Sequence, residues 1–414
     1  MEHQSFFVRL HTWVLYLFIF LLPTQLGTFF FISQSYIDGI RIDYLAPSLY
    51  LTDILALILI MLMIGPFLLS KKVVFKFRDI FSNKIALVGL VLIVFNVIFS
   101  LKPIITIYSY IKISELWLIY LFITQSRLHP KKLLQILLFS AGMQLLLVTS
   151  QIMNHGSLQG IWYFLGERSF SLATPGIAKI SLQGIEVIRG YGTFSHPNSL
   201  AGFYLLLYGF VSFYQPFKKY HILRNMFLAI TIVLILFSFS KIAIVGLLGI
   251  MIYISLKNKT HCFICRASQL IVPIVLGGIF LSGVGDPESI DKRLWLATSS
   301  FKIIREHLFI GVGLGNYLIA QSTFSIPYSY FFLQPVHNIF LLITSEIGVL
   351  FVFYLLYLLR ENIIKLWKIP VGIIVILTII YTGMMDHYWL TLQQNMLLIP
   401  VVFGLLLKHK SVVK

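Results

Sequence analysis

Four short polar stretches stand out in an otherwise apolar chain: RGYGTFSHPNSLAG at 189–202, SFSK at 238–241, RLWLA at 293–297 and HNIFLLITSEIG at 337–348. Arg189 and Arg293 carry guanidinium groups, which grip phosphate or carboxylate oxygens in pairs and stay charged at any relevant pH. Arg189 lies just before an apolar run that begins at the Pro197-Asn198 turn, where Asn198 is the expected N-cap. A helix N-terminus carries partial positive charge and free N–H groups, so an arginine beside it makes a site for an anion. His337 opens another apolar run and adds a titratable group. Gly190 and Gly192 are expected to let the backbone beside Arg189 approach a bulky ligand.

The elements that must position these residues follow from composition. Hydrophobic residues make up 58% of the 414, and charged residues only 11%, against roughly a quarter in a soluble domain. The chain therefore reads as one all-α, polytopic membrane domain over residues 1–414. Apolar runs long enough to cross a bilayer fall near 10–32, 49–69, 84–101, 104–123, 131–153, 198–214, 221–239, 240–256, 267–285, 337–358, 367–385 and 390–407. That predicts about twelve transmembrane helices. Two long loops remain, 154–197 and 286–336, both rich enough in aromatics to be ordered.

About two-thirds of the 32 basic residues fall in the segments that are cytoplasmic if both termini are inside, which orients the chain and puts both long loops outside. The same bias accounts for the net charge of +17 without nucleic acid. The N-terminal run lacks a small-residue cleavage site and is expected to stay as the first span. Cys262 and Cys265 form a lone C-x-x-C beside His261, one ligand short of a structural zinc site, and read as reduced thiols.

Residues 293–309 have nearly helical apolar spacing, with Leu294, Leu296, Ala297, Phe301, Ile304 and Leu308 expected to face the membrane surface. The following GVGLGN lacks the preceding strand of a dinucleotide fingerprint, so it reads as a tight turn that redirects the chain. Glu346 lies nine residues beyond His337, on the opposite helix face about 13.5 Å along the axis, and is expected to meet a cation or donors on another span. Lys112 and Glu115 are three apart in one span and are expected to satisfy each other. Asp386, His387 and Tyr388 read as an interfacial turn between the last two spans.

The four stretches, with GVGLGNY at 311–317, resemble the bacterial O-antigen ligase and O-antigen polymerase superfamily of membrane glycan transferases. The resemblance covers residues 180–355 by motif and the rest by the number of spans. It implies transfer of a glycan from a polyprenyl diphosphate carrier to a glycan, lipid or protein acceptor, at the outer face of the cytoplasmic membrane, with no metal or cofactor. It also implies Arg189 and Arg293 as diphosphate ligands, Lys241 as a third cation where many members carry arginine, and His337 as the base that takes the acceptor's proton. His196 and His387 are the next candidates for that base. A polytopic flippase for lipid-linked glycans is the competing expectation, but such transporters tend to show internal repeats and polar groups near the midplane, and neither is evident here.

Overall fold

The computed structural model describes residues 2–69, 84–126, 128–182, 184–257, 271, 274, 275, 278, 289–328 and 332–408. Its described helices are α1 (Glu2–Phe20), α2 (Leu51–Leu69), α3 (Lys84–Ile98), α4 (Pro103–Gln125), α5 (Pro130–Met153), α6 (Pro197–Phe213), α7 (His221–Phe237), α8 (Lys241–Lys257), α9 (Ser289–Glu306), α10 (Tyr317–Gln321), α11 (Ile339–Trp367), α12 (Pro370–Gly383), α13 (Tyr388–Thr391) and α14 (Gln393–Lys408). Four helical stretches are long and apolar enough to cross a membrane: Pro103–Gln125, Pro130–Met153, Gln215–Phe237 and Ile339–Trp367. Shorter apolar helices accompany them at Leu10–Phe20, Leu51–Leu62, Lys84–Ile98, Pro370–Gly383 and Gln393–Lys408.

Helices occupy the apolar windows read from the sequence, apart from 267–285, which lies almost wholly outside the described residues, as do Cys262 and Cys265. The first window is shorter than expected. Its helix stops at Phe20, because Pro23 disfavours helix in the residue before it, and the chain continues as extended structure. Two antiparallel hairpins follow, pairing β1 (Gly27–Phe29) with β4 (Ser48–Tyr50) and β2 (Tyr36–Ile37) with β3 (Ile40–Arg41). Four of the long helices begin with proline at their first position, at Pro103, Pro130, Pro197 and Pro370. There its fixed φ suits the helix and its missing N–H costs nothing.

Helix α6 is the central post, buried along almost its whole length and packed by α7, α8, α12 and α14. Small residues allow the close approach that holds helices together in lipid, where hydrophobic driving force is absent. A Cβ on Gly202 would meet the Tyr388 hydroxyl at 2.2 Å, and one on Gly209 would meet Ile374 at 2.7 Å. Helix α11 is kinked at Gly348, whose φ of 72° leaves the helical region. The GVGLGN turn fits against that kink. Gly311, Gly313 and Gly315 all have positive φ, and a Cβ on Gly311 would strike the Glu346 backbone at 2.4 Å. These glycines redirect the chain, as their spacing suggests.

Helix α9 spans Ser289–Glu306 and lies against α11, but its buried face differs from the expected stripe. Leu296, Ser299, Ser300 and Ile303 point inward, with Ser300 Oγ and Ser345 Oγ 2.8 Å apart, whereas Leu294 and Phe301 are exposed. Serine can pack inward because its hydroxyl finds a partner there, which a hydrophobicity pattern does not register.

The charged residues inside the bundle are paired across helices. Lys112 on α4 approaches Asp53 on α2 at 2.6 Å and Glu115 at only 3.5 Å. Its first partner is thus a neighbouring helix, a correction to the expected local pair. Glu346 accepts from the backbone N–H of Tyr317 at 3.4 Å, so its donor comes from the start of the short helix α10 rather than from another long helix.

Candidate functional site

The loop at 154–197 is built around a buried carboxylate. Glu167 accepts from the Gln151 side chain at 2.8 Å and from the backbone N–H groups of Leu158 and Gln159 at 3.0 and 2.6 Å. A hairpin of β5 (Lys179–Leu182) and β6 (Ile185–Ile188) then delivers the chain to Arg189. Gly190 and Gly192 serve packing here rather than a ligand. A Cβ on Gly190 would meet Val148 at 2.7 Å and Phe237 O at 3.0 Å, and one on Gly192 would meet Gln144 Oε1 at 2.4 Å. The expectation that they admit a bulky ligand is therefore corrected: they seat the loop on α5 and α7.

Arg189 is held from two sides. Its Nε donates to Ser238 O at 2.7 Å and its Nη2 to Asn198 Oδ1 at 2.6 Å. Nη1 makes no hydrogen bond among the described residues. Asn198 is not the N-cap that the sequence suggests. His196 takes that place, its Nδ1 accepting from Asn198 N at 3.1 Å, because Pro197 already occupies the first helical position. The Asn198 side chain is thereby released, and its Nδ2 donates to Asp386 Oδ2 at 2.9 Å. One amide thus ties the first arginine to the turn between α12 and α13.

Asp386, His387 and Tyr388 lie in the turn between the last two apolar helices, as read from the sequence, and are buried within the protein. Asp386 Oδ1 accepts from His387 N at 2.8 Å and lies 3.5 Å from His337 Nδ1. The His337 and His387 rings stand 5.1 Å apart. His387 Nδ1 bonds Thr391 Oγ1 at 2.7 Å. Asn338 caps α11, its Oδ1 accepting from Phe340 N and Leu341 N, while its Nδ2 donates to Met384 O at 3.2 Å. His337 is therefore fixed in sequence beside a residue that locks two helix ends together.

Burial pushes His196 down to about 3, with Arg189 adding to the effect. Burial also pushes His387 down to about 4, against the pull of Asp386. Both imidazoles are neutral at neutral pH. Burial alone would raise Asp386, but its contact with His337 and the other imidazoles hold its carboxyl well below the usual carboxylate range. Burial lowers Arg189 to about 10, with Tyr191 and Asp386 opposing that and Arg293 reinforcing it, and the guanidinium stays charged.

Arg293, in the first turns of α9, is close enough to Arg189 and His387 for its charge to act on both. It forms no hydrogen bond or ion pair among the described residues. Arg189, Arg293 and His337, chosen from sequence, are thus gathered with Asn198, His196, Asp386 and His387. Lys241 is not. It opens α8 with its side chain exposed and makes no hydrogen bond or ion pair among the described residues.

This assembly can bind an anion through one free guanidinium and one half-used one, beside neutral imidazoles poised over a carboxylate. His337, Asp386 and His387 also offer one ligand atom each within 4.8 Å of one another, a set that could hold a metal ion. Two neighbouring guanidinium groups work against a cation there. No protein-family model matches the chain, and no curated protein does.

Proposed function

We propose that the chain transfers a glycan from a polyprenyl diphosphate carrier to an acceptor hydroxyl, as an O-antigen ligase-like or polymerase-like enzyme of the cytoplasmic membrane. The observation that carries this reading is the chain of contacts from Arg189 through Asn198 and Asp386 to His337, with Arg293, unpaired among the described residues, within electrostatic reach of Arg189 and His387. Two like charges are brought together at a cost in free energy, and a diphosphate would remove that cost. In this reading about twelve spans cross the membrane, both termini are cytoplasmic, and the cluster faces outward.

The step is a glycosyl transfer without a metal. The acceptor oxygen attacks the anomeric carbon, the bond from that carbon to the diphosphate oxygen breaks, and its electron pair leaves on the diphosphate. Arg189 and Arg293 neutralise the departing charge. His337 receives the acceptor's proton. Asp386 holds the imidazole and stabilises the imidazolium that forms, while the neutral His387 keeps a second positive charge away from it.

The test supplies purified protein in lipid with the polyprenyl diphosphate-linked glycan extracted from its source cells. The reading expects release of polyprenyl diphosphate together with a lengthened or newly glycosylated acceptor. A donor that stays intact with glycan, lipid and protein acceptors alike would overturn it.

A further inference from the structure

The described residues enclose a cavity of about 600 Å³ beside the arginine-histidine cluster, within the range of roughly 300–1000 Å³ typical of ligand pockets. It lies between the hairpin segment 27–50, the loop holding Glu167, and helices α4, α11 and α14. None of Arg189, Arg293 and His337 lines it. It reaches the cluster through three wall residues: Thr391, bonded to His387; Tyr44, edge-on to the His387 ring at 5.8 Å; and Ser195, which precedes His196.

Resting on the transferase reading above, we infer that this cavity is the acceptor subsite and that its occupant is the uncharged, polyhydroxylated end of a carbohydrate chain. Its lining offers the diphosphate little. Of the ionisable groups there, Lys112 is claimed by Asp53, Asp43 by Arg41 and Glu167 by its three donors, while Arg168 already donates from Nη1 to Ser195 O at 3.2 Å. A sugar suits it better, because the lining combines the aromatic side chains of Tyr44 and Tyr163, which can pack on sugar C–H groups, with the hydrogen-bonding groups of Gln159, Arg168 and Thr391.

The site also fixes direction. A glycan end seated against Thr391 and Ser195 presents a hydroxyl toward the histidines, while the donor's diphosphate is held by the arginines. Donor and acceptor therefore enter through chemically different walls.

The experiment uses the full-length protein in lipid and, as probe, the glycan freed by mild acid from the polyprenyl-linked pool of its source cells. Tyr163→Ala removes a platform at the cavity rim, and Met396→Trp fills the cavity from α14. Binding of the free glycan is measured by calorimetry without donor, and KM is measured separately for donor and acceptor. Both variants are expected to lose glycan binding and to raise the acceptor KM at least about 10-fold with the donor KM held, at an unchanged unfolding midpoint. A raised donor KM with an unchanged acceptor KM would overturn the inference by placing the donor's glycan in the cavity. Unchanged glycan binding in both variants would overturn it as well, while leaving the transferase reading intact. If the wild type binds the free glycan through these residues yet transfers nothing, the transferase reading fails and the carbohydrate pocket stands.

Discussion

Lys112 meets Asp53 at 2.6 Å and Glu115 at 3.5 Å, and Asp53 also accepts from Tyr50 N at 2.8 Å and from the Gln393 side chain. A cation inside the helices is thus answered by two carboxylates, with the nearer one further satisfied. Arg293 meets no carboxylate among the described residues and stands instead near a second arginine. Arg293 is half-buried and without a protein partner among the described residues, whereas Lys112 is balanced by carboxylates within the protein. A charge answered by its own partners is structure, and one left without them is open to a ligand.

The comparison predicts opposite phenotypes. Arg293→Lys and Arg189→Lys keep the charge but lose the planar fork, and each is expected to lower transfer by about 10²–10³-fold, as loss of a transition-state donor does. Protein level and unfolding midpoint should hold, as followed by a donor-consumption assay and thermal unfolding in detergent. Lys112→Met is expected to act mainly on stability. It strands Asp53, which for a buried pair costs on the order of 3–5 kcal/mol, so the unfolding midpoint should fall, with a loss of transfer per folded molecule far smaller than in the arginine variants. Equal loss of activity in all three would erase the distinction.

A smaller effect is expected from Asp386→Asn. The amide keeps the shape and the bond to His387 N but removes the charge beside His337, so kcat should fall on the order of 10-fold with the donor KM little changed. A chelator should leave wild-type transfer intact. Loss of transfer that returns with added metal would instead assign His337, Asp386 and His387 to an ion.

A separate effect is in stability against pH. His196 and His387 are held near 3 and 4, below the ordinary value of 6.5, so the native state favours their neutral forms. Their contribution is complete above pH 6.5 and is lost as pH falls from there toward 4 and then 3, because the unfolded chain takes up protons first. The unfolding midpoint should decline across that window, and His387→Gln should flatten part of the slope. A midpoint independent of pH would contradict the burial assigned to these rings.

Much of this site was legible in the sequence. Arginine and histidine beside helix starts are local signals, and Arg189, Arg293 and His337 do converge. The helices were legible too, since the lengths of apolar runs place them. What the sequence concealed was long-range pairing. Asn198 and Asp386 are 188 residues apart, and neither a cap pattern nor a turn pattern announces that they bond. Asn198 in fact gave the wrong signal, because an asparagine at a helix start is usually a cap. The segment 27–50 was hidden for a different reason: strands of two or three residues are too short for alternation to show, and they continued the apolar run of α1. In SFSK it is the Ser238 carbonyl, which accepts from Arg189, that makes the contact, while Lys241 is exposed and makes no hydrogen bond or ion pair among the described residues.

The account's central claim is that His337 takes the proton, and one variant tests it most directly. His337→Ala, purified in lipid with the extracted lipid-linked donor, is compared with wild type for donor binding and for transfer rate across pH 5 to 9. The account predicts unchanged donor affinity, transfer slower by at least about 10²-fold, and a pH dependence of the wild-type rate that the variant lacks. His196 and His387 titrate too low to supply it. Lost donor binding with the pH dependence retained in the surviving rate would make His337 a ligand for the donor and contradict the claim.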